Sequence, residues 1–289
     1  MKNCIAIVLI LFLVSCKSEA KKNETTTSDI NRTISADSLK STPGQAFDWS
    51  MPKKLLDEFR KDLVDSKNRK DLALVTFLNR YKELTVRFSD SLYHRPNYAD
   101  LNTLSYSEDG KISKNALEFK RKVINSGFNL TSSEGDTYVI ENTGFIKNGT
   151  FKYLDKISID FLNLYCNEID TVCCDDAAIV IPLEILINRA YKWGEMTNRV
   201  SNTAYQKIAL ENYKDYLFLI FFGVDNTLAF DGEVNKYNQK LFDLMISQIK
   251  KHPLSKASID FKQFTSLLIK ENYQKTSAIE KFIKLKTKK

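Results

Sequence analysis

Three cysteines, Cys166, Cys173 and Cys174, fall within the stretch NLYCNEIDTVCCDDAAIVIP, among several carboxylates. Such a set could hold a metal ion, exchange electrons or staple the chain. A closed zinc site takes four nitrogen or sulfur ligands, and neither histidine of this chain is near in sequence, so no metal is expected. A Cys173–Cys174 bridge is disfavoured, because adjacent Cα atoms lie about 3.8 Å apart and disulfides span roughly 4.4–6.8 Å. Cys166 falls near the end of an expected helix, and NEIDTVCC can fold back across it. The expectation is a bridge from Cys166 to Cys173 or Cys174 with one thiol left over; the rival is three free thiols acting as small apolar groups.

The remaining chemistry would have to come from carboxylates. The chain holds no G-x-S-x-G, H-E-x-x-H or phosphate-binding loop. Its histidines, His94 in YHRPN and His252 in KKHPLS, sit at expected helix ends, where they suit the helix dipole. YSEDGKIS places Asp109, Gly110 and Ile112 as in a calcium-binding loop, but Ser105, Ser107 and Ala116 occupy ligand positions. Without the bidentate glutamate it reads as a turn. FFGVDNTLAFDGE gathers Asp225, Asn226 and Asp231 between two helices. Its structural reading has Gly223 ending a helix, Asp225 or Asn226 making an Asx turn, and Asp231 capping the next helix. Its functional reading is a polar pocket. Two carboxylates about 5–9.5 Å apart in one cleft could hydrolyse a glycosidic bond; the candidates are Glu134, Asp175, Asp176, Glu184, Asp225 and Asp231.

The elements that would position these groups are helical. Glycine numbers nine in 289 residues, about 3% against a usual 7%, so turns for a many-stranded fold are scarce. Leu183, Leu186, Ile187, Ala190 and Trp193 recur at helical spacing, with Pro182 as first helical residue and Glu184 in the first turn. Thr203 and Gln206 form a capping box for the next helix, as do Ser277 and Glu280 for the last. Further helices are expected over 53–66, 70–94, 114–126, 157–167, 233–251 and 256–273. FNLTSSEGDTYVIEN gives the one hairpin signal. The expected fold is all-α, an irregular helical bundle of about eight to ten helices with a small β-hairpin insertion.

The first residues concern the compartment. Lys2 precedes an apolar run from Ile5 to Val14, too short to span a bilayer and matched to a secretory signal. The run closes on Leu13-Val14-Ser15-Cys16, which resembles the lipobox of bacterial lipoproteins. The resemblance implies cleavage before Cys16 and acylation there, and several acyl chains anchor stably where one binds reversibly. Lys17 in place of Asp leans toward the outer membrane, and KSEAKKNE resembles export signals of Bacteroidota surface lipoproteins. Residues 1–15 read as signal peptide, 16–46 as lipidated cysteine and polar linker, and 47–289 as the helical domain. DSL at Asp37–Leu39 resembles an O-glycosylation motif of the same bacteria, with an unmodified linker as the plainer reading. An exported chain meets oxidising conditions in which disulfides persist.

SSEGDTYVIENTGFI, YLDKISIDFLNLYCNEI, DDAAIVIPLEILINRAYKWGEM and YKDYLFLIFFGVDNTLAFD together resemble a family of bacterial outer-membrane lipoproteins without an assigned activity. The resemblance spans about residues 127–235. Leu228 stands where that pattern has proline, and Gly194 separates Trp193 from Glu195. It implies a binding or structural signature at Glu134, Tyr138, Asp176, Glu184, Asp225, Asn226 and Asp231. The expected function is a membrane-anchored, non-catalytic binding module of the cell envelope; the alternative is a carboxylate-dependent glycan or cell-wall hydrolase. Its expected partners are the lipid bilayer, through the acyl chains, and an envelope protein, peptide or glycan. No cofactor and no nucleic acid are expected. The chain carries net charge +7, and its terminal KFIKLKTKK reads as a solvated helix end, or alternatively as a contact for anionic lipid or polysaccharide.

Overall fold

The computed structural model describes residues 47–65, 69–93, 98–104 and 111–288. The residues read from sequence as signal peptide, Cys16 and linker (1–46), His94 and the 105–110 part of the rejected calcium loop lie outside the described residues. The described part is all-α. The first half holds α1 (Met51–Asp65), α2 (Lys70–Leu92), the one-turn α3 (Tyr98–Leu101), α4 (Lys114–Asn125), the hairpin β1 (Phe128–Ser133) and β2 (Asp136–Glu141), and α5 (Thr143–Thr150). The second half holds α6 (Lys156–Asp170), β3 (Cys174–Asp175), β4 (Ala178–Ile179), α7 (Leu183–Arg199), α8 (Tyr205–Phe221), β5 (Gly223–Val224), β6 (Thr227–Leu228), α9 (Gln239–Lys251), α10 (Lys256–Lys270) and α11 (Ser277–Thr287).

The first half is organised by α2. Its buried Leu74, Phe77, Leu78, Tyr81, Leu84, Phe88 and Leu92 recur every three or four residues, forming the apolar stripe that an amphipathic helix buries. Tyr81 stacks between Phe77 and Phe128, with ring centroids 5.8 and 5.6 Å away. Its hydroxyl donates to the Gly127 carbonyl and accepts from the Asn142 amide at 3.2 Å. Gly127 precedes β1 and Asn142 follows β2, so one buried phenol ties both feet of the hairpin to the helix.

The second half is a bundle around the α7–α8 helical hairpin, with α9 and α10 against α7 and α11 against α8. Trp193, Tyr213, Phe221, Phe261 and Phe264 are buried in it. Asp260 in this core accepts from the Tyr213 hydroxyl at 2.6 Å and pairs with Lys286 at 2.5 Å, anchoring α11. Lys286 is therefore not part of a solvated helix end.

Several helix boundaries differ from the sequence reading. Pro182 is the N-cap of α7 rather than its first residue. Thr203 and Gln206 do bond back to the chain, at Tyr205 and Asn202, and Asp71 of α2 adds an acceptor for the Ala204 amide at 2.6 Å. The cap of α11 is Thr276, one residue before Ser277. The helix expected from 233 starts at Gln239, capped by Asn238. The preceding residues pair with other segments instead, at Phe230–Tyr237 and Lys236–Gln274.

Candidate functional site

Three short hairpins bring their tips together. The β1–β2 turn is Glu134-Gly135, both at positive φ (53° and 85°), the geometry of a type I′ hairpin turn. The β3–β4 turn is Asp176-Ala177, also at positive φ (45° and 53°). A left-handed alanine costs about 1–2 kcal/mol, so this turn is held by its surroundings. What holds it is the β5–β6 hairpin. The Asn226 amide donates to the Ala177 carbonyl at 2.9 Å, and its side-chain Nδ2 donates to the Asp176 carbonyl at 2.6 Å. Thr227 Oγ1 accepts from the Ile179 amide at 3.0 Å. The β1–β2 hairpin joins through Ser133 Oγ, which donates to Asp175 Oδ1 at 2.6 Å.

The β5–β6 hairpin owes its position to Gly223, the residue after the α8 C-cap, at φ 87°. A Cβ there would lie 2.4 Å from the Thr227 carbonyl oxygen and 2.5 Å from the Ala229 nitrogen. Only glycine permits this helix end to turn straight into the strand.

The assembled tips carry Glu134, Asp175, Asp176, Asp225 and Asn226, all exposed. The Asp176 carboxyl hydrogen-bonds to Glu134 and its charge opposes ionisation there, so the Glu134 carboxyl is raised above its ordinary value. Two like-charged groups in contact oppose one another, and nothing basic among these five offsets them.

A tyrosine group flanks the same hairpin. The rings of Tyr93 and Tyr98 lie 4.9 Å apart. The Tyr98 hydroxyl donates to the Thr137 carbonyl at 3.3 Å and accepts from the Thr137 amide at 3.2 Å, with Asp136 Oδ1 at 3.4 Å. Tyr138 on β2 reaches the Ser133 carbonyl at 3.5 Å. Tyr93 remains 45% exposed, a half-open aromatic surface beside the carboxylates.

Of the residues singled out from sequence, Glu134, Asp176 and Asn226 meet in one cluster. Asp225 sits on the same turn but makes no Asx bond; Asn226 does the clasping, and to a different hairpin. Tyr138 lies on the flank. Glu184 is elsewhere, paired with Lys240 at 3.0 Å. Asp231 does not cap α9 but accepts from the Glu233 and Val234 amides at 2.8 and 2.9 Å, turning its own loop. Both are lowered from their ordinary values, Asp231 by those amides and Glu184 by its own backbone amide and Lys240.

Sequence reasoning missed the polar network under β3. Arg189 donates to Glu168 at 2.9 Å, to the Tyr216 hydroxyl at 3.0 Å and to the Asn167 and Thr171 carbonyls at 3.3 and 2.9 Å. Trp193 Nε1 donates to the other Glu168 oxygen at 2.9 Å, and Tyr216 bonds Glu168 as well. Arg189 thus satisfies the end of α6 and sets the path of the chain into β3. Its signal in the sequence was an arginine on the Leu186–Ala190–Trp193 face, where a charge needs a buried partner.

The three cysteines are free, which differs from the expected bridge. Cys166 and Glu168, two residues apart on α6, point to nearly opposite sides of the helix. Cys166 is buried toward Lys147 and Glu141, and burial pushes its thiol up to about 12. Cys173 faces Arg189 and Glu168 instead and hydrogen-bonds Cys174, which lowers Cys174. The fold-back across the helix end exists but brings Cys173 to the Arg189 side. Among the described residues, no group of three His, Cys, Asp or Glu could hold a metal ion, and no helix is long and apolar enough to cross a membrane. No family model, curated protein or solved structure matches the chain.

Proposed function

We propose that this chain is a lipid-anchored protein of the cell outer membrane, and that its helical body is a non-catalytic binding module working through the three-hairpin end. The observation that carries the reading is the clasp among the hairpins. Ser133, Asn226 and Thr227 spend hydrogen bonds on holding two strained or repulsive features at the surface: the left-handed Asp176-Ala177 turn and the Glu134–Asp176 pair. Strain and like-charge contact at an exposed tip add nothing to folding, and such outliers concentrate where surfaces meet ligands. Carboxylates, an amide and a half-open tyrosine suit hydroxyl- and amide-rich partners, a glycan or peptide of the envelope. The anchor rests on the Leu13–Cys16 lipobox.

Glycan hydrolysis is the less supported reading. The Asp176 charge acts directly on Glu134, and the described residues show no cleft between two carboxylates of the kind that holds a scissile bond at about 5–9.5 Å. Two measurements test the proposal. Cys16→Ala should abolish fatty-acid labelling and release the protein from membranes; unchanged labelling contradicts the anchor. Purified protein should not turn over peptidoglycan or envelope glycan. Turnover that Glu134→Gln abolishes would establish the hydrolase instead.

A further inference from the structure

Residues 250–289 hold eleven lysines against three acids, Asp260, Glu271 and Glu280, a net of +8. The whole chain is only +7, so everything before residue 250 sums to −1. The positive excess of this protein is therefore a property of its last forty residues, from the end of α9 onward. One of the three acids does not reach the surface, because Asp260 is buried on Tyr213 and Lys286.

Helix α11 sorts its residues by face. Ile279 and Ile283 are buried, and Lys286 turns inward to Asp260. Lys281, Lys284, Leu285 and Lys288 are exposed, and their spacing of three, one and three residues puts them on one face. Leu285 is 75% exposed among these lysines. Three cations around one exposed leucine give this face a charge complement to anionic headgroups and a single apolar contact.

The direction of α11 matters as well. Lys275 lies over the Phe222 ring at 4.4 Å, Phe282 against Phe221 at 6.0 Å, and the Lys214 amine on the Lys288 carbonyl at 2.6 Å. Helix α11 thus runs antiparallel to α8, and its basic C-terminus points away from Gly223 and the hairpin tips.

We infer that the outer face of α11, formed by Lys281, Lys284, Leu285 and Lys288, docks on the anionic headgroups of the membrane that carries the lipid anchor, turning the three-hairpin end outward. The choice of a membrane as occupant rests on the anchor proposed above, which confines the body near headgroups. Linker residues 16–46 can extend roughly 100 Å, so the anchor alone sets no orientation and the helix face would supply it.

The test separates this inference from the anchor. The chain from residue 16 carrying Cys16→Ser, with no acyl chain, is mixed with phosphatidylglycerol-containing or pure phosphatidylcholine vesicles and sedimented. Each lysine near a charged surface strengthens binding about fivefold. Binding to the anionic vesicles alone is expected, with about a hundredfold loss in the Lys281→Gln/Lys284→Gln/Lys288→Gln variant at unchanged melting temperature. Leu285→Ser should weaken it further, and 0.5 M salt should remove most of it. Failure of the wild-type chain to sediment, equal binding of the triple variant, or equal capture by dextran sulfate with no effect of Leu285→Ser would overturn the inference. Fatty-acid labelling of the intact protein is scored separately and does not depend on this outcome.

Discussion

Gly223→Ala is the substitution on which the architecture of the hairpin end depends most. The residue sits at φ 87°, where an L side chain costs about 1–2 kcal/mol. The added Cβ would meet the Thr227 carbonyl oxygen at 2.4 Å and the Ala229 nitrogen at 2.5 Å. Both are backbone atoms of the strand that follows, so no side-chain rotation relieves the contact. To reach ordinary separation the strand must retreat by about an ångström. That motion breaks the Ala229 N–H bond to the Phe222 carbonyl, 3.2 Å long, and disturbs the Gly223–Leu228 pairing, at a net of about 1 kcal/mol for each bond lost. The sum is about 3–4 kcal/mol, or roughly 10 °C in melting temperature for a domain of this size. Gly135→Ala is the internal control: its φ is 85°, but nothing lies within 4 Å of the added Cβ, so only the backbone term of about 1–2 kcal/mol applies. Thermal melts of the two variants followed by circular dichroism decide the matter. Equal shifts would refute the reasoning, since the close approach at Gly223 would then contribute nothing.

Other perturbations follow from the same geometry. Arg189→Met leaves Glu168 without its cation and the end of α6 without two donors; a loss of about 3–5 kcal/mol is expected in denaturant unfolding, partly recovered by adding Glu168→Gln. Asn226→Ala should cost about 1 kcal/mol through its lost bond to the Asp176 carbonyl, whereas Asp225→Ala should stay within about 0.5 kcal/mol; the reverse order would contradict the clasp. Burial raises the Glu141 carboxyl above its usual 4.5 while Tyr165 donates to it at 2.7 Å, so the folded chain keeps that proton to higher pH than the unfolded one. The associated stability is present below about pH 4.5 and lost as pH rises through the folded value; Glu141→Gln, which keeps an acceptor for Tyr165, should flatten that part of the stability profile. Without reductant, all three cysteines should alkylate after unfolding, and in the native protein Cys174 should react before the buried Cys166; a peptide linked through Cys166 would show the staple after all.

The helices were legible because their signals are local and repeated. The stripe on α2, the Thr203–Gln206 pair and Gly223 all state their roles within one or two turns. Helix α5 was not legible, since NTGFIKNGT carries two glycines and reads as loop. Its start is fixed by Asn142, whose side chain accepts from the Phe145 amide at 2.9 Å. Its Gly149 is there for close packing, because a Cβ would sit 2.5 Å from Leu56. The hairpins β3–β4 and β5–β6 are two residues per strand, too short to show a period. What fixes them is each other, through bonds spanning 48 and 50 residues of sequence. The same holds for the candidate site: Glu134, Asp176 and Asn226 could be named one by one, but their meeting depends on three turns docking. The network of Glu168, Arg189, Trp193 and Tyr216 joins three helices, and only its arginine out of place hinted at it.

The most direct test of the hairpin end as the working face is photo-cross-linking in living cells from the full-length protein. A benzophenone side chain placed at Asp225, on the clasped tips, is compared with one at Val64, 74% exposed on α1. A discrete envelope adduct is predicted from position 225, absent from position 64 and weakened when Asn226→Ala removes the side-chain bond to the Asp176 carbonyl. Identical adducts from both positions, or an adduct at 225 indifferent to Asn226→Ala, would contradict the account.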